Sequence, residues 1–145
     1  MRCSVCLLAL IVVPACGPAH GLGGSIGESL SLEFNEVRIR KQEGFLITEY
    51  LMVSSQGTEK ICKIILDTVG LDTDDSLVVK GEAFLQRVDL QRATLGNDNF
   101  PPKRSGELRL DDLDFRRGGR AEGDVLATFE DNQSLNAWFG GDIED

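Results

Sequence analysis

VLATFEDNQSLNAWF, residues 125–139, is the stretch whose reading decides the fold. Val125, Ala127 and Phe129 recur at every second position, and so do Leu135, Ala137 and Phe139. Apolar residues at period two belong to a strand with one buried face. Both sets are odd-numbered. They stack on a single sheet face only if an odd number of residues forms the loop between them. A three-residue loop with a left-handed residue and a bulge meets that condition. Asn132 tolerates the left-handed conformation. Trp138 is then expected on the opposite face, near Leu126 and Thr128.

Upstream, Glu107 to Leu110 reads as a strand joined to this hairpin through the turn Arg116-Arg117-Gly118-Gly119. Gly96 to Gly106 is a loop by composition, with Asn97-Asp98-Asn99 and Pro101-Pro102. In Phe84 to Thr94, Phe84, Val88 and Leu90 alternate with Arg87, Asp89 and Gln91, which favours a strand. Leu85 and Val88 also fit a helical spacing. Leu77 to Lys80 is a short strand, and Lys60 to Asp67 is a strand with Cys62, Ile64 and Leu66 on one face.

Further towards the N-terminus, Phe45 to Val53 is apolar on both parities, so this strand is central and covered on both faces, or it faces a partner. It pairs as a hairpin, through Lys41-Gln42-Glu43-Gly44, with a run whose apolar parity shifts from Leu30, Leu32 and Phe34 to Val37 and Ile39. That shift predicts a β-bulge near Asn35 and Glu36. About seven short strands with no clear amphipathic helix point to an all-β antiparallel β-sandwich, with an up-and-down β-barrel as the alternative.

The chain has 145 residues, a one-domain length, with 41% hydrophobic and 27% charged residues, so it has the material for a core. Its formal net charge is −9, and removing a leader that carries only Arg2 leaves 24 acids against 14 bases, or −10. A chain this acidic repels nucleic acid and anionic lipid headgroups as generic partners.

Residues 1–15 read as a signal peptide: Arg2, then the largely apolar run Cys3 to Val13, then Pro14-Ala15. The run is too short to span a membrane, which takes roughly 20 residues. Val13-Pro14-Ala15-Cys16 resembles the lipobox of bacterial lipoproteins, although Pro14 departs from the usual small or aliphatic residue. The resemblance implies that the Cys16 sulfur carries a diacylglycerol, that cleavage precedes Cys16, and that the new amino group is acylated, for example by palmitate. Gly17 in place of aspartate then implies outer-membrane residence in a two-membrane bacterium. The competing reading is ordinary cleavage at Val13-x-Ala15 or Gly17-x-Ala19, which releases a soluble exported protein. Residues 16–28, rich in glycine, are expected to be a flexible tether, and residues 29–145 the all-β domain.

Residues that could carry chemistry are few. His20 is the only histidine and is expected in the tether, with no strand or helix to hold it. Cys62 shares its face with Ile64 and Leu66 and reads as a small core residue. Two acidic clusters are weak metal candidates: Asp72, Asp74 and Asp75, and Asp111, Asp112 and Asp114. Asp72-x-Asp74-x-Ser76 imitates the start of a calcium loop, but Leu77 replaces the glycine and Ala83 the bidentate glutamate. Arg116, Arg117 and Arg120 flank a hairpin tip and read as a solvated edge. No nucleotide-binding or zinc-hydrolase motif is present, and no cofactor is expected. The expectation is an exported lipoprotein with a non-catalytic binding or structural domain, held at the membrane through Cys16, with a protein or glycan partner. The alternatives are a calcium-stabilised adhesin-like module and a small envelope enzyme using carboxylates alone.

Overall fold

The computed structural model describes residues 19–74, 76–116 and 118–144. The leader and Cys16 therefore lie outside the described residues, as do Asp75 and Arg117. Nine strands form among the described residues: β1 (Gly21–Gly23), β2 (Glu36–Gln42), β3 (Phe45–Ser54), β4 (Gly57–Asp67), β5 (Leu77–Lys80), β6 (Val88–Ala93), β7 (Lys103–Leu113), β8 (Arg120–Phe129) and β9 (Ser134–Glu144). A short helix, α1 (Glu82–Arg87), and a 3-10 turn (Ser25–Glu28) accompany them.

The strands make two antiparallel sheets, β5-β7-β8-β9-β1 and β2-β3-β4-β6. Ile143 and Glu144 at the end of β9 pair in parallel with Ile39 and Arg40 of β2, which joins the sheets along one side. The other side stays open as a seam between β5, β7 and β6. There α1 packs against all three, with Phe84 fully buried. The fold is thus a β-sandwich and not a barrel.

The terminal hairpin has the register that parity demands. Val125 faces Ala137 and Ala127 faces Leu135. The Phe129 amide donates to the Gln133 carbonyl at 2.9 Å, which leaves Glu130, Asp131 and Asn132 as the loop. Asn132 sits at φ 66°. All six odd-numbered apolar residues are buried, whereas Trp138 and Leu126 on the other face are 39% and 50% exposed. Cys62, Ile64 and Leu66 line the core together, as their spacing predicts. Burial pushes the Cys62 thiol up to about 12.

The structure corrects four expectations. The first concerns the tether. Gly21–Gly23 pairs with Trp138, Ala137 and Asn136 of β9, and Ile26 is fully buried, so the fold takes in residues well ahead of Ser29. A Cβ on Gly21 would lie 1.9 Å from the Trp138 ring. That glycine serves a close approach, where composition suggests free chain.

The second correction is that Leu30 to Phe34 is irregular and the strand starts only at Glu36. The alternation there reflects packing without a ladder: Leu30, Leu32 and Phe34 press on the core, and Phe34 meets Tyr50 edge-on at 5.1 Å. The register shift falls instead opposite Tyr50 and Leu51, where Ile61 is the extra residue of β4. Third, the run from Phe84 splits into α1 and then β6 at Val88, because Phe84 must turn inward to plug the seam. Fourth, the proline-rich loop ends at Pro102, and Lys103 already opens β7.

Arg92 ties these irregular parts together. Its side chain is 2% exposed. Nη1 donates to the Ser31 and Ile61 carbonyls at 2.8 and 3.1 Å, and Nη2 to Asp98 at 3.1 Å. One guanidinium thus clamps the 30–35 segment, the bulge and the loop after β6.

Candidate functional site

The outer face of the second sheet is built from four cross-strand rows. Gln42, Phe45 and Asp67 form the first. Arg40, Ile47, Ile65 and Asp89 form the second. Arg38, Glu49, Lys63 and Gln91 form the third, and Glu36, Leu51, Lys60 and Ala93 the fourth. These rows explain why β3 is apolar on both parities. Leu46 and Tyr50 face the sandwich core, while Phe45 and Ile47 face outward.

At the first two rows the outer face meets α1 and the start of β7 in a groove of about 560 Å³. Phe45, Ile47, Ile65 and Leu85 give it apolar walls, with Phe45 39% and Leu85 41% exposed. Asp67, Asp89, Gln42 and Gln86 add polar groups. Two cations at this end are occupied by backbone. Arg87 donates to the Asp67 and Val69 carbonyls at 3.4 and 2.8 Å. Lys103 donates to the carbonyls of Leu85 and Val88, which satisfies free acceptors at the end of α1. Partial burial lowers the Lys103 ammonium pKa.

The last two rows have a different character. Arg38, Lys63 and Lys60 stand in them and Arg40 adjoins from the second row, so four of the chain's fifteen basic residues gather on this part of one face. Glu49 lies among them with its side chain only 5% exposed. It accepts from Arg40 Nη2 at 2.9 Å and lies 3.4 Å from Lys60 Nζ and 3.9 Å from Lys63 Nζ. A carboxylate this buried is tolerable because cations surround it. A polar cavity of about 400 Å³ opens here, lined by Arg38, Arg40, Glu49, Leu51, Thr58, Lys60 and Glu144.

The acidic candidates lie elsewhere. Asp74, Asp112 and Asp114 share one cavity of about 510 Å³, so the fold brings the two acidic clusters to one place. Asp72 accepts from the Asp74 amide at 3.2 Å in a local turn. Arg116 grips Asp114 through Nε and Nη2 at 2.7 and 2.9 Å and holds its carboxyl below the usual range. Asp111 and Asp112 are exposed on β7. Among the described residues no three acidic, histidine or cysteine side chains are grouped to hold a metal ion. His20 is not unheld as expected: its Nδ1 accepts from the Gly140 amide at 3.4 Å, beside the first residue of β1. Arg120 pairs with Glu122 at 3.4 Å, in keeping with a solvated hairpin tip.

None of the groove residues stands out in the sequence as a site. The available signal was the double-parity apolar run of β3, which leaves open what covers its second face. Comparisons with protein-family models, with curated proteins and with solved structures find no match to this chain.

Proposed function

We propose that this chain is an exported, lipid-anchored binding domain that carries out no catalysis. It takes an apolar-bodied ligand in the groove between α1 and the outer face of β3 and β4. The observation that carries the reading is the groove itself, about 560 Å³, in which Phe45, Ile47, Ile65, Leu85 and Val88 form apolar walls among six polar or charged residues. That size falls in the range of small-molecule sites, and the mixed lining suits a ligand with both apolar and polar parts. The anchor is Cys16, on the strength of the lipobox-like Val13-Pro14-Ala15-Cys16. Because Gly21 is already in a strand, at most roughly 18 Å of extended chain separates it from Cys16. The domain is then held close to the membrane, where a long tether would let it stand off. Stable attachment needs two or more acyl chains, so complete modification matters.

Two experiments test this reading. The neutral dye N-phenyl-1-naphthylamine should brighten on adding the soluble domain. Phe45→Asp and Leu85→Asp, at part-exposed sites where folding tolerates a charge, should each abolish the effect. No brightening, or brightening untouched by both substitutions, would refute the groove. For the anchor, mass spectrometry of the mature N-terminus should find a lipidated Cys16, and Cys16→Ser should move the protein to the soluble periplasmic fraction. An unmodified mature N-terminus in the wild-type protein would refute the anchor.

A further inference from the structure

The two halves of the outer face have opposite chemistry and lie side by side. Ile47 and Ile65 wall the groove, and two residues along each strand stand Glu49 and Lys63. Two strand residues span roughly 7 Å, so the apolar walls run directly into the cationic rows. Glu36 lies against Arg38, which leaves Arg40, Lys60 and Lys63 gathered on the single carboxylate of Glu49. Even with Glu144 at the margin, positive charge is in surplus here, in a chain whose net charge is −9. The donors point the same way. Three cations offer many more N–H groups than one carboxylate accepts.

We propose that the groove takes a single amphipathic anion, a medium-chain carboxylate or a molecule of that build, with its tail against Phe45, Ile47 and Ile65 and its head group on Lys60, Lys63 and Arg40. This deepens the groove reading and rests on it. Orientation follows from charge. Asp67 and Asp89 at the helix end repel a carboxylate. The cations at that end, Arg87 and Lys103, already donate to backbone carbonyls. The other end holds the unspent donors, and charge-assisted hydrogen bonds to them fix the head group. The rest of an acidic surface turns anions away, so this face is selective by contrast.

The test is displacement of the bound dye by sodium octanoate and by octan-1-ol, at pH 7.5 and low salt. The two share a tail and differ in head-group charge. Octanoate should compete about tenfold better than octanol. A Lys60→Gln/Lys63→Gln double variant leaves the Arg40–Glu49 pair intact. It should bring octanoate to within about twofold of octanol and leave octanol unchanged. Raising the salt to about 0.5 M should close the same gap in the wild-type protein. Equal competition by the two in the wild-type protein would overturn the head-group assignment while leaving the groove standing. Dye binding that neither displaces would overturn both. Inorganic phosphate competing as well as octanoate would mean a bare anion site and would also overturn it. So would co-sedimentation of the Cys16→Ser protein with phosphatidylglycerol vesicles without octanoate binding, since the face would then meet a bilayer.

Discussion

Cutting Phe129 back to alanine should cost the domain about 4 kcal/mol. The ring is fully buried at the end of β8 and stacks on Phe100, with centroids 5.7 Å apart and planes 10° from parallel. Returning a buried phenyl ring to water accounts for roughly 2–3 kcal/mol. The space it leaves costs about 24 cal/mol per Å³, or roughly 2 kcal/mol for a hole near 90 Å³. The lost ring pair adds about 1 kcal/mol. Partial collapse of Phe100 into the hole returns part of this and brings the total to about 4 kcal/mol. A domain of this size has roughly 5–15 kcal/mol in hand, so the variant should fold with a much lower midpoint. Urea titration followed by circular dichroism should show that midpoint fall by about 2–3 M, for a slope near 1.5 kcal/mol per M. Phe139→Ala, on the same face, should behave alike. Leu126→Ala, half-exposed on the opposite parity of the same hairpin, should cost under about 1 kcal/mol. Losses below about 1 kcal/mol at both phenylalanines, or a larger loss at Leu126 than at either, would refute the hairpin register and the core it builds.

Three further outcomes are expected. Cys62, buried with its thiol pushed up to about 12, should react slowly with a thiol reagent in the native protein and fast in denaturant, and equal rates would place it at the surface. Asn132→Val should destabilise by roughly 1–2 kcal/mol, since a β-branched residue resists the φ of 66°, whereas Asn132→Gly should cost much less; the same urea titration reads both, and equal losses would count against a left-handed loop residue. Asp98 has its carboxyl lowered to about 2 by hydrogen bonds from Arg92 and Thr94, so its folded pKa lies below its unfolded one. Its contribution is complete above the unfolded pKa near 4 and fades as pH falls towards 2. Asp98→Asn should flatten the stability profile in that window, and an unchanged acid limb would show that the Arg92 clamp does not depend on this carboxylate.

Some of this protein was already determined by residue order alone. Period-two patterns in β4, β8 and β9 placed Cys62, Ile64 and Leu66 and both halves of the terminal hairpin on the core side, because a strand has no other way to bury every second residue. Parity settled the loop length around Asn132 for the same reason. Other features needed the tertiary structure. Gly21 reads as tether until Trp138 is found lying over it. The run from Phe84 reads by its alternation as a strand, with a helical spacing as the lesser fit, and only the open seam, which takes Phe84 as a plug, decides for α1. The groove is the clearest case. Phe45, Ile47, Ile65 and Leu85 come from three separate elements, and the cations beside them from β2 and β4. Periodicity reports which face of one strand is apolar. Which charges lie across from it depends on pairing register between distant segments, and that is set only when the sheet forms.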